Sequence, residues 1–279
     1  MSFARATVEI ARASLRVLRA HPRLLWFPAL SALSVVLAAV FLLAPAVDAR
    51  AGGNLGWGGA DIFGLYDGEP EGPWWIALFA YTLVNGVTAY FAVALTHQAL
   101  HALRGDTVSV KAGLRYSATR ARAVGAYALI NATLGIVFSA GRGARRSARS
   151  LFGVAWDLVT YLALPVMVQE RRGAVESLRR SGRLFKQTWG ETALAEVGLR
   201  VLAVQFYALV VLLCLLLANL FDEPAVPILF VALVLGLGFA LLVSTLQAIY
   251  RAALYIFAAE GAIPDAFDTP DMHDVWRVK

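Results

Sequence analysis

Five stretches of this chain contain no Asp, Glu, Lys or Arg: Leu24–Val47, Gly72–Leu103, Ala123–Gly141, Val201–Phe221 and Ala225–Tyr250. Their apolar residues do not alternate with polar ones, so the period of a membrane β-strand is missing. A bilayer core about 30 Å thick needs roughly 20 apolar helical residues to cross it. Inside it, each backbone polar group must be satisfied within the protein. Together with an apolar segment interrupted by Asp157, the pattern predicts an all-α, polytopic membrane helix bundle. Its six transmembrane helices fall at 24–47, 74–100, 123–140, 151–168, 193–221 and 225–258. The last two exceed the minimum length, which predicts tilt or overhang. Residues 1–264 then form one membrane domain, with 265–279 a short, mildly acidic tail.

Between these stretches the pattern changes to a helical stripe. In Gly173–Trp189 the positions Val175, Leu178, Gly182, Phe185 and Trp189 recur at spacings of three and four, with Arg179, Arg180, Arg183 and Lys186 opposite. That is a basic amphipathic helix, expected to lie in the membrane surface. Ser2–Arg23 repeats the pattern, and Val110–Val124 does so more weakly. The three share a spacing: Arg12-x-Ser14-x4-Arg19, Arg115-x-Ser117-x4-Arg122 and Arg179-x-Ser181-x4-Lys186. Three repeats follow as an expectation, each a surface helix and a helical hairpin.

Composition supports the membrane assignment. The hydrophobic fraction is 59% and the mean hydropathy +0.65, outside the range of soluble domains. The net charge of +6 sits in the connecting segments and suits anionic lipid headgroups, not nucleic acid. Charge also orients the chain. The segments before the first span, between the second and third, and between the fourth and fifth are basic. Those after the first and fifth spans are acidic. The positive-inside rule then puts both termini in the cytoplasm. Arg142, Arg145, Arg146 and Arg149 sit on the opposite side in this layout. Either segments three and four cross normally, or Ala123–Val168 is a shallow hairpin entering and leaving on the cytoplasmic face. The first apolar run is too long for a cleaved signal, whose core spans about 7–15 residues.

Candidate chemistry is sparse. Asp157, at membrane depth, is a functional candidate by position. It relays protons or binds a cation, or it neutralises a neighbouring arginine. His97 and His101 are one turn apart, but nothing completes a metal site. Thr188-Trp189-Gly190-Glu191 has the capping-box form, with Thr188 as N-cap of the fifth span and Trp189 an interfacial anchor. Arg179, Arg180 and Arg183 are the candidate contacts to anionic lipid. No cofactor motif, no phosphate loop and no catalytic constellation is present, and the single Cys214 has no disulfide partner.

Several motifs carry a resemblance. They are Trp26-Phe27-Pro28-Ala29-Leu30-Ser31, Gly153-x-Ala155-Trp156-x3-Thr160-x4-Pro165, Ser181-x2-Leu184-Phe185-Lys186-x-Thr188-Trp189-Gly190-Glu191 and Ala253-Leu254-Tyr255-x3-Ala259-x-Gly261-x2-Pro264-x2-Phe267-Asp268. With these the chain resembles a family of bacterial six-span integral membrane proteins of unknown function. More distantly, it is similar to the membrane domain attached to some glycerophosphodiester phosphodiesterases. The resemblance implies a bacterial cytoplasmic membrane location and brings no reaction. The expected function is a non-enzymatic module organising lipids or partner proteins. The alternative is a small transporter using Asp157 in a membrane-embedded site.

Overall fold

The computed structural model describes residues 3–50, 74–139, 156, 159–188 and 225–268, and these are helical with no strand. The elements are α1 (Phe3–Ala20), a 3₁₀ turn (Pro22–Leu25), α2 (Trp26–Arg50), α3 (Trp74–Leu103), α4 (Val110–Thr119), α5 (Ala121–Ser139), α6 (Ala163–Gln169), α7 (Ala174–Thr188), α8 (Ala225–Glu260) and a closing 3₁₀ turn (Asp265–Phe267). The expected spans at 24–47, 74–100, 123–140 and 225–258 correspond to α2, α3, α5 and α8. The span at 193–221 and the tail beyond 268 lie outside the described residues.

Two breaks shape the chain. At Pro22 the preceding residue is forced out of the α region, and Val8–Ala20 meets Pro22–Ala38 at 102°. Near Leu162, Pro165 removes a donor to the preceding turn, and the apolar stretch Val159–Gln169 is interrupted before α6. The Leu162 N–H donates to Ser181 Oγ on α7 at 3.0 Å.

Helices α3, α6 and α8 touch one another, and each carries an amphipathic helix on its flank: α4 on α3, α7 on α6, α1 on α8. α4 runs back along α3. Gln98 Oε1 accepts from Ser109 N at 2.8 Å, while Ser117 Oγ donates to Tyr90 O at 2.8 Å. The bundle therefore has two zones. In the base, α3 from Ala89 onward and α8 from Thr245 to Ile256 are largely buried among the amphipathic helices. Away from the base, α2, α3, α5 and α8 expose large apolar side chains, among them Leu37, Phe79, Leu129 and Leu235.

This arrangement bears on three expectations. First, the stripes of α1 and α7 pack largely on protein: Ile10, Ala13, Val17 and Phe185 belong to the common core and Leu178 is buried, while Val175 is exposed. The period identifies an apolar face but not the apolar medium that covers it. Second, six spans are not seen among the described residues. On length and composition Val234–Glu260 is the one crossing candidate there, or two exist if the pair bent at Pro22 is one span. The inner half of α3 is protein core, and the segment around 163–169 is short. Third, the chain just past the expected boundary at 264 stays on the core. Phe267 is fully buried, its ring 6.3 Å from that of Tyr250. Thr188 is the last residue of α7, and the helix it is expected to cap lies outside the described residues.

The three serines of the shared spacing, Ser14, Ser117 and Ser181, are all fully buried. Ser14 Oγ has no hydrogen-bond partner. Their alanine variants should differ accordingly. Ser181→Ala strands the buried Leu162 N–H and costs about 1–3 kcal/mol, Ser117→Ala costs about 0.5–1.5, and Ser14→Ala is neutral or stabilising. Thermal unfolding in detergent checks the ranking, and an equal loss at all three positions refutes it.

Candidate functional site

The inner helices finish on one side of the base, each through a left-handed residue: Gly105 at φ +82°, Arg171 at +51° and Gly261 at +67°. Such a residue just past a helix lets the chain turn back onto its last carbonyls. The residues immediately before them are Arg104, Glu170 and Glu260, and these charges build the site.

Arg104 Nη2 donates to Glu260 Oε1 at 2.6 Å. Both Arg104 Nη groups also reach Gln169, whose amide oxygen accepts at 3.0 and 2.9 Å. The ends of α3, α6 and α8 are thereby tied through one guanidinium. Glu170 is the most enclosed carboxylate of the group, with a side chain 18% exposed. It accepts from Arg172 Nε at 2.6 Å, Arg180 Nε at 3.1 Å and the Tyr255 hydroxyl at 3.5 Å. Arg120 donates to the Arg172 carbonyl. Alongside, His97 stacks on Tyr116 with ring centroids 4.0 Å apart, and His101 Nδ1 lies 2.8 Å from Asp106 Oδ2. Burial pushes the Tyr116 phenol above its usual range, against the pull of Arg120 and Arg171. It stays a neutral donor and bonds the Val168 carbonyl.

Glu170 and Glu260 are both engaged by guanidinium, so neither is arranged as a free general base. Among the described residues no group of three His, Cys, Asp or Glu could hold a metal. The cluster joins helix ends, and the chemistry available to a ligand lies outside it. Arg12, Arg16, Arg19, Lys111, Arg115, Arg122, Arg171, Arg179, Arg183 and Lys186 are exposed around the base. Each such cation is worth about 1 kcal/mol near an anionic surface.

The arginine trio expected on α7 is split. Arg179 and Arg183 are exposed, whereas Arg180 is turned onto Glu170. Asp157, Trp189 and Glu191 lie outside the described residues. Glu170, Arg104 and Glu260 were missed, although a charge next to a helix-ending glycine, in Arg104-Gly105 and Glu260-Gly261, is a readable signal. Arg251, within α8, sits 5.1 Å from the Tyr161 ring centroid, a cation–π contact that periodicity does not forecast.

No curated protein and no solved structure matches the chain. A family model described as a family of unknown function, DUF6159, matches residues 73–264, from α3 to the turn after α8. The chain belongs to that family.

Proposed function

We propose that this is a multi-pass protein of a bacterial cytoplasmic membrane with up to six crossings and both chain ends in the cytoplasm. In this reading it is not an enzyme. It is a membrane module whose basic base gathers anionic phospholipids around the bundle.

One observation carries the reading: the exposed surface is divided by chemistry along the bundle. Leu33, Val36, Leu37, Val40, Phe79, Leu83, Val234 and Leu235 are all exposed away from the base. A soluble monomer rarely exposes contiguous apolar area of this kind. The exposed cations lie on α1, α4, α7, the first turn of α5 and the turns that join the helices, around the buried base. Trp26, 60% exposed, stands at the junction, where an amphipathic ring suits a headgroup layer. α3 and α8 are about 45 and 54 Å long at 1.5 Å per residue. The part of α8 before Thr245, about 30 Å, is long enough to cross the hydrocarbon core before entering the base, and the part of α3 before Ala89, about 22 Å, reaches into it.

Alkaline carbonate should leave the protein in the membrane pellet; recovery as folded polypeptide without detergent overturns the proposal. In nanodiscs of mixed phosphatidylglycerol and phosphatidylcholine, the wild type should enrich phosphatidylglycerol in its lipid shell, less so as salt rises. The variant carrying Arg12→Gln, Arg16→Gln, Arg19→Gln, Arg179→Gln and Arg183→Gln should insert normally and lose that enrichment. Undiminished enrichment refutes the role of the collar.

A further inference from the structure

We infer that the bundle holds one anionic phospholipid in a defined groove, with an acyl chain between α2, α3 and α5 and the phosphate at Arg122. The inference rests on the membrane reading above and adds a specific site to it.

A cavity of about 560 Å³ opens between these helices. That is within the ~300–1,000 Å³ range of small-ligand sites. Its wall is almost wholly apolar, from Ser34 on α2, Phe79, Gly86 and Tyr90 on α3, and Gly125 and Ala128 on α5. Two glycines make the room. A Cβ built on Gly125 meets nothing within 4 Å, and one on Gly86 meets only the Ala128 Cβ at 3.8 Å. The groove lies at the depth where Phe79, Leu83 and Leu129 are exposed.

Charge complementarity identifies the occupant. Arg122 precedes Gly125 by three residues on α5, so the two are neighbours on the helix surface. Its side chain is exposed at the base end of the groove, where a headgroup would lie if the chain ran along α3 toward Phe79. An acyl chain leaving the bilayer for an apolar groove gains no dehydration, because lipid tails are as apolar as the wall. Selectivity therefore resides in the headgroup, in a charge-assisted bond from guanidinium to phosphate. A neutral hydrophobe or a second copy of the chain would fill the groove without using Arg122.

The test is native mass spectrometry of the full chain, purified in detergent, delipidated and titrated with phosphatidylglycerol or phosphatidylcholine. One phosphatidylglycerol should bind per chain at least tenfold tighter than phosphatidylcholine. Arg122→Gln should abolish the preference. Gly125→Leu, which fills the groove from a position with free space, should abolish binding of both. Phosphatidylglycerol carrying a photoreactive group in its chain should label 79–91 in the wild-type protein, which requires no variant to fold. Equal binding of the two lipids, tight binding that survives Gly125→Leu, or labelling absent from 79–91 overturns the site. The five collar substitutions leave Arg122 and Gly125 untouched. In that variant lost shell enrichment with intact stoichiometric binding is expected of both proposals; retained enrichment overturns the collar alone, and lost stoichiometric binding overturns the groove alone. Release by carbonate removes both.

Discussion

Gly113→Val should unfold the base well below the wild-type melting temperature, the largest effect expected of any single substitution. Gly113 is fully enclosed on α4, and a Cβ there would lie 2.7 Å from Phe27 Cζ, 2.9 Å from Phe27 Cε1 and 3.0 Å from Gln98 Cγ. Neither neighbour has room to yield. Phe27 is 0% and Gln98 2% exposed, and Gln98 is held by the Ser109 N–H at 2.8 Å. Glycine inside a helix is worse than alanine by about 1 kcal/mol. Propensity alone therefore favours Gly113→Ala, and the contact distances decide against it. Overpacking of a closed core costs roughly 1–3 kcal/mol, which exceeds the propensity gain for alanine and more so for valine. Phe27→Leu combined with Gly113→Ala should recover part of the loss, because the smaller side chain vacates the clash. Non-additivity of this pair is the signature of direct contact. Thermal unfolding of the four proteins in one detergent measures it. A Gly113→Val protein melting with the wild type would show that α4 does not seat on α3 through this glycine.

The same region shows where pattern alone could and could not be read. Charge-free runs locate α2, α3, α5 and α8, because a long helix without charge needs an apolar medium on most of its surface. They do not say whether that medium is lipid or protein. The inner half of α3 looks like the outer half in composition, yet Val93, Ala94 and Ala99 are fully buried in protein while Phe79 is 62% exposed. The amphipathic period locates α1, α4 and α7 equally well and fails at the same question. Helix ends were more informative than their use suggested. Arg104-Gly105 and Glu260-Gly261 place opposite charges at equivalent positions, and these meet at 2.6 Å. Glu170 has the same place before Arg171, but an arginine in the left-handed region gives no warning, since glycine is the usual occupant. The crowding at Gly113 depends on a partner 86 residues away in sequence, Phe27, which no local window contains.

Removing residues 1–20 should leave a protein that aggregates in detergent, even though the matched family region begins only at residue 73. α1 packs on α8 and on the closing 3₁₀ turn. It buries Ile10 and Ala13 completely, and Val17 and Leu18 almost so. Burial of Ile, Val and Leu contributes roughly 1.5–3 kcal/mol per side chain. Three of them thus approach the ~5–15 kcal/mol that a whole domain has in hand. The deletion would also bare Phe267 and the α1-facing side of α8, which are part of the same core. Its effect could be mistaken for lost membrane electrostatics, because Arg12, Arg16 and Arg19 leave with the helix. A full-length chain with Arg12→Gln, Arg16→Gln and Arg19→Gln separates the two causes. It keeps Ile10, Ala13, Val17 and Leu18, so it should elute as a single species and melt close to the wild type. Exposed cations of this kind contribute at most about 1 kcal/mol each to folding. If the triple variant aggregates while the deletion stays monodisperse, then α1 acts through its charge, and the base is held by the inner helices alone.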